Sequence, residues 1–194
     1  MKKRTIIFVT LIMVLALGRM SESALHDRGN GLIYDDGLDI TWMENANSAD
    51  ITMTWDDAMA WVDALLFQGY QDWRLPASDT SCTGSACTGS EMGHLFFIDG
   101  ITPETPGLFS DLKNYLYWSG TEDPADNANA WRFNFRYGTQ DVNTKTSARY
   151  VWAVRDGDVT PAVAPEPVST LLFLSGGGVL ATQRLWRKRY SMTQ

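Results

Sequence analysis

Between Gly31 and Gly157 apolar and polar residues alternate with two periods, and the shorter one dominates. Leu32-Ile33-Tyr34 and the alternating Leu38, Ile40 and Trp42 flank Asp35-Asp36-Gly37, a turn-favouring triplet, which is the pattern of a β-hairpin. Trp55, Met59, Val62 and Leu66 then recur at helical spacing. Thr54 is placed to cap that helix, Asp57 stands three residues on where a capping-box acid belongs, and Gln68-Gly69-Tyr70 ends it. Asp56, Asp57 and Asp63 fall near the helix start or on its wet face, where they serve solvation and the helix dipole. A second short helix is expected over residues 91–97, a loop with two prolines over 99–106, and a buried strand over 115–121. The last third carries the clearest alternation. Trp131, Phe133 and Phe135 interleave with Arg132, Asn134 and Arg136, residues 137–143 turn the chain, and residues 150–154 form a closing strand.

Both ends of the chain depart from this pattern. Lys2, Lys3 and Arg4 precede the apolar run 6–17, and Ser21, Ser23 and Ala24 follow it, the order of a secretory signal peptide over residues 1–24. Cleavage is expected after Ser23 or Ala24, with an uncleaved anchor as the alternative. At the other end a proline-rich linker, 159–167, holds Pro165-Glu166-Pro167 and leads into the apolar stretch 168–181, then the basic cluster Arg184, Arg187, Lys188 and Arg189. Residues 168–186 contain no acid, and as a helix rising ~1.5 Å per residue they would span ~28 Å, close to a hydrocarbon core of ~30 Å. Gly176-Gly177-Gly178 weakens that helix by about 1 kcal/mol per residue. The basic cluster stays cytoplasmic by the positive-inside rule, so everything upstream is exported through the inner membrane. Segment 168–189 with its preceding triplet resembles the PEP-CTERM sorting signal. That resemblance implies an exosortase-type membrane enzyme as processing partner, membrane attachment through this segment before processing, and a destination in the cell envelope or biofilm matrix. An ordinary short transmembrane anchor is the alternative.

Between these addresses lies one domain, residues 25–158, long enough to bury a core. Residues 25–167 hold eight Lys and Arg against 22 Asp and Glu, a formal charge of −14 that the −7 of the whole chain conceals. Nucleic acid and anionic lipid are disfavoured partners, because their binding rests on neutralising phosphate. The two cysteines, Cys82 and Cys87, sit in a Ser/Thr/Gly-rich segment and are expected to form a disulfide in an oxidising compartment. Closing so short a loop contributes at the low end of ~2–4 kcal/mol. His26 and His94 do not complete a recognisable zinc spacing with them. No cofactor is expected. Calcium is the one metal considered, at the acidic loops of Asp35 and Asp36 or of Asp123 and Asp126, since hard cations take carboxylate oxygens.

G-L-I-Y-D at 31–35, L-x-I-T-W-M at 38–43, W-x-x-A at 55–58, D-W-R-L-P at 72–76, Y-W-S-G-T at 117–121, A-W-x-F-x-F at 130–135 and Y-V-W-A-V-R-D-G at 150–157 follow one another in an order that resembles the Lcl C-terminal (DUF1566) domain. The W-R-L-P and V-R-D-G elements also resemble sulfatase-modifying-factor domains, whose fold is C-type-lectin-like. The resemblance implies an α+β, C-type-lectin-like domain with a small, mostly antiparallel sheet, two flanking helices, long loops and neighbouring chain ends. It further implies a non-catalytic binding or adhesion module. The acidity of this chain moves the expected ligand from sulfated polysaccharide to neutral glycan, matrix polymer or a protein partner. The calcium-dependent sugar-binding motifs of C-type lectins are absent from the sequence.

Trp42, Trp55, Trp131 and Trp152 fall at core phases, Trp61 and Trp73 are ambiguous, and Trp118, ahead of a polar loop, is the candidate ligand contact. Arg74 and Arg155 are expected to satisfy buried carbonyls or carboxylates. The chain has no G-x-S-x-G, H-E-x-x-H or P-loop motif. Two readings from other classes stand beside the binding module: a glycan-acting enzyme with paired carboxylates, and a purely structural matrix component.

Overall fold

The computed structural model describes residues 24–159. The sorting triplet Pro165-Glu166-Pro167, the segment 168–189 with its basic cluster, and all but the last residue of the signal peptide lie outside the described residues. Among the described residues no helix is long and apolar enough to cross a membrane.

The expected hairpin is formed by β2 (Leu32–Asp35) and β3 (Ile40–Met43), antiparallel with Leu32 opposite Met43 and Asp35 opposite Ile40. Asp35 makes the turn. Its Oδ1 accepts from the backbone N–H of Gly37 and of Leu38, so the carboxylate replaces solvent for two donors that no ladder satisfies. β1 (Leu25–Gly29) pairs with the outer edge of β2, and β8 (Val154–Asp156) pairs with β3, giving the order β1-β2-β3-β8. A second sheet has the order β4-β7-β6-β5, from β4 (Gly84–Ser85), β5 (Leu116–Glu122), β6 (Asn129–Asn134) and β7 (Thr139–Thr144). Among the described residues the architecture is therefore α+β, mostly antiparallel sheet with two helices, but built on two four-stranded sheets where one small sheet was expected.

Helix α1 (Trp55–Asp63) begins as its sequence dictates: the Thr54 hydroxyl accepts the Asp57 N–H and donates to the Asp57 carboxylate. It stops at Asp63, however, so Leu66 lies beyond it and is exposed. Phe67 and Tyr70 exchange backbone hydrogen bonds across Gln68-Gly69, both at positive φ, and this turn takes the chain before another helical turn can form. Helix α2 (Glu91–Phe97) is capped by Ser90 and buries Met92, Gly93 and Leu95.

The closing segment also departs from expectation. Tyr150 to Ala153 are not ladder residues. Tyr150 makes one parallel bridge with Tyr117, and β8 starts only at Val154, which also exchanges backbone hydrogen bonds with Arg74. The alternation of β6 holds, with Trp131 and Phe133 buried, as is Phe135 just past the strand end. Trp42, Trp118, Trp152, Tyr117, Phe133 and Phe135 are fully buried and form the largest part of the core. Trp152 organises it, with ring centroids 4.8 Å from Trp42 and 4.9 Å from Phe109, and its indole N–H donates to the Met43 carbonyl at 2.7 Å. Cys82 and Cys87 are disulfide-bonded. The buried Gln140 amide holds that loop by donating to the carbonyls of Asp79 and Cys82. At the domain's ends the Arg28 guanidinium forks onto Asp158, at 2.8 and 2.7 Å, bringing the start and finish of the fold together.

Candidate functional site

An open groove of about 580 Å³ lies at the start of α1. It is lined by residues 51–54, by Asp57, Ala60 and Trp61, which share one face of the helix as their i, i+3, i+4 spacing requires, and by Ala148. The groove is held from beneath. Met53 and Arg149 exchange backbone hydrogen bonds at 2.9 and 3.0 Å, the Trp55 N–H donates to the Lys145 carbonyl, and the Trp55 indole donates to the Ser119 carbonyl at 2.8 Å. Lys145 lies over the Trp55 ring, 4.2 Å from its centroid, and pairs with Glu122. Trp61 is half-buried, so part of its indole faces the groove beside exposed Ile51. The acid in the groove, Asp57, is engaged by its cap, with its Oδ2 2.6 Å from the Thr54 hydroxyl.

Trp118 is not at this surface. It is fully buried, its indole N–H donates to the Met53 carbonyl at 3.1 Å, and its backbone N–H donates to the Tyr150 carbonyl. The reason is that β5 is covered on both faces. Tyr117, Trp118 and Ser119 are buried in succession, where an alternating strand with one wet face would expose the middle residue. Trp118 therefore belongs to the core. Of the two ambiguous tryptophans, Trp73 is buried, with its N–H on the Tyr70 carbonyl, and Trp61 lines the groove.

The acidic loops resolve into separate tasks. Asp36 is exposed and accepts from His26 and from the Ala24 N–H, which holds its carboxyl below the ordinary range. Asp123 and Asp126 each accept a backbone N–H two residues on, from Ala125 and Ala128. Asp35, fully buried, is grouped not with Asp36 but with His94 and Asp99: one ligand atom from each lies within 4.8 Å of the others. The sequence hid this group because its members come from a strand end, a helix and the second residue past that helix, with no motif spacing.

The expectation of a buried carboxylate partner holds for Arg74, through Glu91, but not for Arg155, whose partner Asp72 is exposed. Arg74 forks onto Glu91 at 2.8 and 2.7 Å, reaches Asp156 at 2.6 Å and donates to the Leu75 carbonyl. Burial works against its charge, but Glu91 and Asp156 more than offset this and hold its pKa above the usual guanidinium value. Arg155 forks onto Asp72 at 2.9 and 2.7 Å and stacks on Tyr70. Arg74→Gln leaves the largely buried Glu91 without its charge partner. Because Arg74 is itself a third exposed, the expected loss is about 2–3 kcal/mol, below the ~3–5 kcal/mol of a fully buried pair. Urea denaturation of the purified variant measures it.

These features define a small, mostly antiparallel α+β domain, locked by arginine–carboxylate forks and carrying an open groove on its first helix. The chain belongs to the Lcl C-terminal domain family, whose model matches residues 31–155. None of the curated proteins compared with the chain matches it.

Proposed function

We propose that the chain is an exported envelope or extracellular-matrix protein whose Lcl C-terminal domain is a non-catalytic adhesion module that binds a neutral glycan in the α1 groove. The observation that carries this is the half-buried Trp61 indole in an open groove whose one carboxylate is tied up in a helix cap. A partly exposed indole offers the apolar face on which a pyranose ring stacks, and the Thr52 and Thr54 segment supplies hydroxyl and backbone groups for its rim. The charge of −14 on the exported part disfavours anionic polymers as occupants. The sorting signal, with processing at the Pro165-Glu166-Pro167 triplet by an exosortase-type enzyme, would deliver this module to the envelope or matrix.

The expected result is saturable binding to a panel of neutral oligosaccharides that Trp61→Ala weakens at least about tenfold while stability changes by about 1 kcal/mol or less, since Trp61 is only half-buried. Isothermal titration of the full-length protein measures the first and urea denaturation the second. Binding that survives Trp61→Ala would place the ligand elsewhere, and capture of proteins but no glycan would turn the groove into a protein contact.

A further inference from the structure

Asp35 closes β2, His94 sits in the last turn of α2, and Asp99 follows that helix. The Asp99 N–H donates to the His94 carbonyl at 3.2 Å, so the chain folds back over the helix end and presents its carboxylate to the imidazole. Nε2 of His94 is buried and lies 3.7 Å from Oδ2 of Asp99, too far for a hydrogen bond. The Asp99 side chain is 2% exposed and that of His94 16%. Asp35 is oriented independently, because its Oδ1 is fixed by the turn N–H groups of Gly37 and Leu38.

We infer that Asp35, His94 and Asp99 form a binding site for a divalent first-row metal of the zinc class. Two carboxylate oxygens and one imidazole nitrogen are a donor set that zinc accepts readily, with a fourth position for water. The nitrogen argues against calcium and magnesium, which take oxygen shells. In a tetrahedral shell with bonds of ~2.0–2.1 Å, neighbouring ligand atoms stand ~3.4 Å apart. The His94–Asp99 pair at 3.7 Å is already near that spacing, and even the 4.8 Å limit of the group is within reach of side-chain torsions. The ion would tie the β2–β3 turn to the end of α2. This site is separate from the α1 groove, and its test is independent of glycan binding.

The experiment uses full-length, tag-free protein in detergent, stripped with a chelator and titrated with zinc ions alone. The chain has two histidines, so long-range proton–nitrogen spectra report each imidazole separately. The expected result is uptake of a single equivalent that shifts His94 and leaves His26 in place, with affinity lowered at least about tenfold in Asp99→Asn and unchanged in His26→Gln. No uptake, a shift at His26 in place of His94, or an undiminished affinity in Asp99→Asn would overturn the proposal. The wild-type spectra decide it even if the Asp99 variant fails to fold.

Discussion

Trp118→Ala is expected to destabilise the domain by about 3–5 kcal/mol, the cost of emptying a large, fully enclosed aromatic site. That is much of the total stability of a domain this size. The loss has two parts. The void left on the Met53 side of β5, the face opposite Tyr117, is dominant, and removal of the indole N–H takes one of the two donors from the buried Met53 carbonyl. Trp118→Phe shifts the balance between them, because it keeps a six-membered ring in the site while deleting the donor with its pyrrole edge, for about 1–3 kcal/mol. Chemical denaturation followed by tryptophan fluorescence and by circular dichroism measures both. A Trp118→Ala protein of near wild-type stability would contradict this assignment of the residue to the core.

Gly93→Ala is expected to cost about 3 kcal/mol or more, against the ~1 kcal/mol gain that the same change gives in an open helix. A Cβ at Gly93 would stand 2.0 Å from the Cys87 carbonyl oxygen and 2.5 Å from the Ser90 hydroxyl. Neither can move cheaply. Cys87 is held by its disulfide, and Ser90 both caps α2 through the Gly93 N–H and donates to that same carbonyl. Relief requires α2 to lift from the cysteine loop, which would also displace Glu91 from Arg74. Gly89→Ala is the control. The atoms nearest its Cβ belong to the Asp79 side chain, at 2.6 Å; that chain is tethered through Oδ1 to Ser81 but no backbone is among them, so a cost of about 1 kcal/mol, well below that at Gly93, is expected. Urea midpoints of the two variants, compared with the wild type, give the ratio directly.

The helix starts, the hairpin and the strand 129–134 were legible because each is set by a local rule: a cap, a turn carboxylate, a period of two. What could not be read were consequences of the tertiary arrangement. β1 has little apolar content and is recruited by the free edge of β2, and β4 is two residues long and exists through its pairing with β7. Leu66 fits the helical phase, yet the Phe67–Tyr70 turn cuts the helix before it. Trp118 shows the same limit for function. The sequence marks 115–121 as a buried strand, yet the Ser119-Gly120 pair and polar loop after Trp118 suggest a surface place for that one residue, and its contacts with Met53 and Tyr150 show that it is dry. Trp61 carried no sequence signal beyond its ambiguity. Its place in the groove comes from Met53 pairing with Arg149, nearly a hundred residues away.

The proposed export and sorting of this domain are tested by the intact mass of the protein recovered from membrane and extracellular fractions of its native host. The expected species begins near Ala24 or Leu25 and ends near Pro165-Glu166-Pro167. A mass that retains residues 168–194 would contradict the sorting reading and make that segment a plain anchor; one that also retains the first 23 residues would contradict export by a cleaved signal.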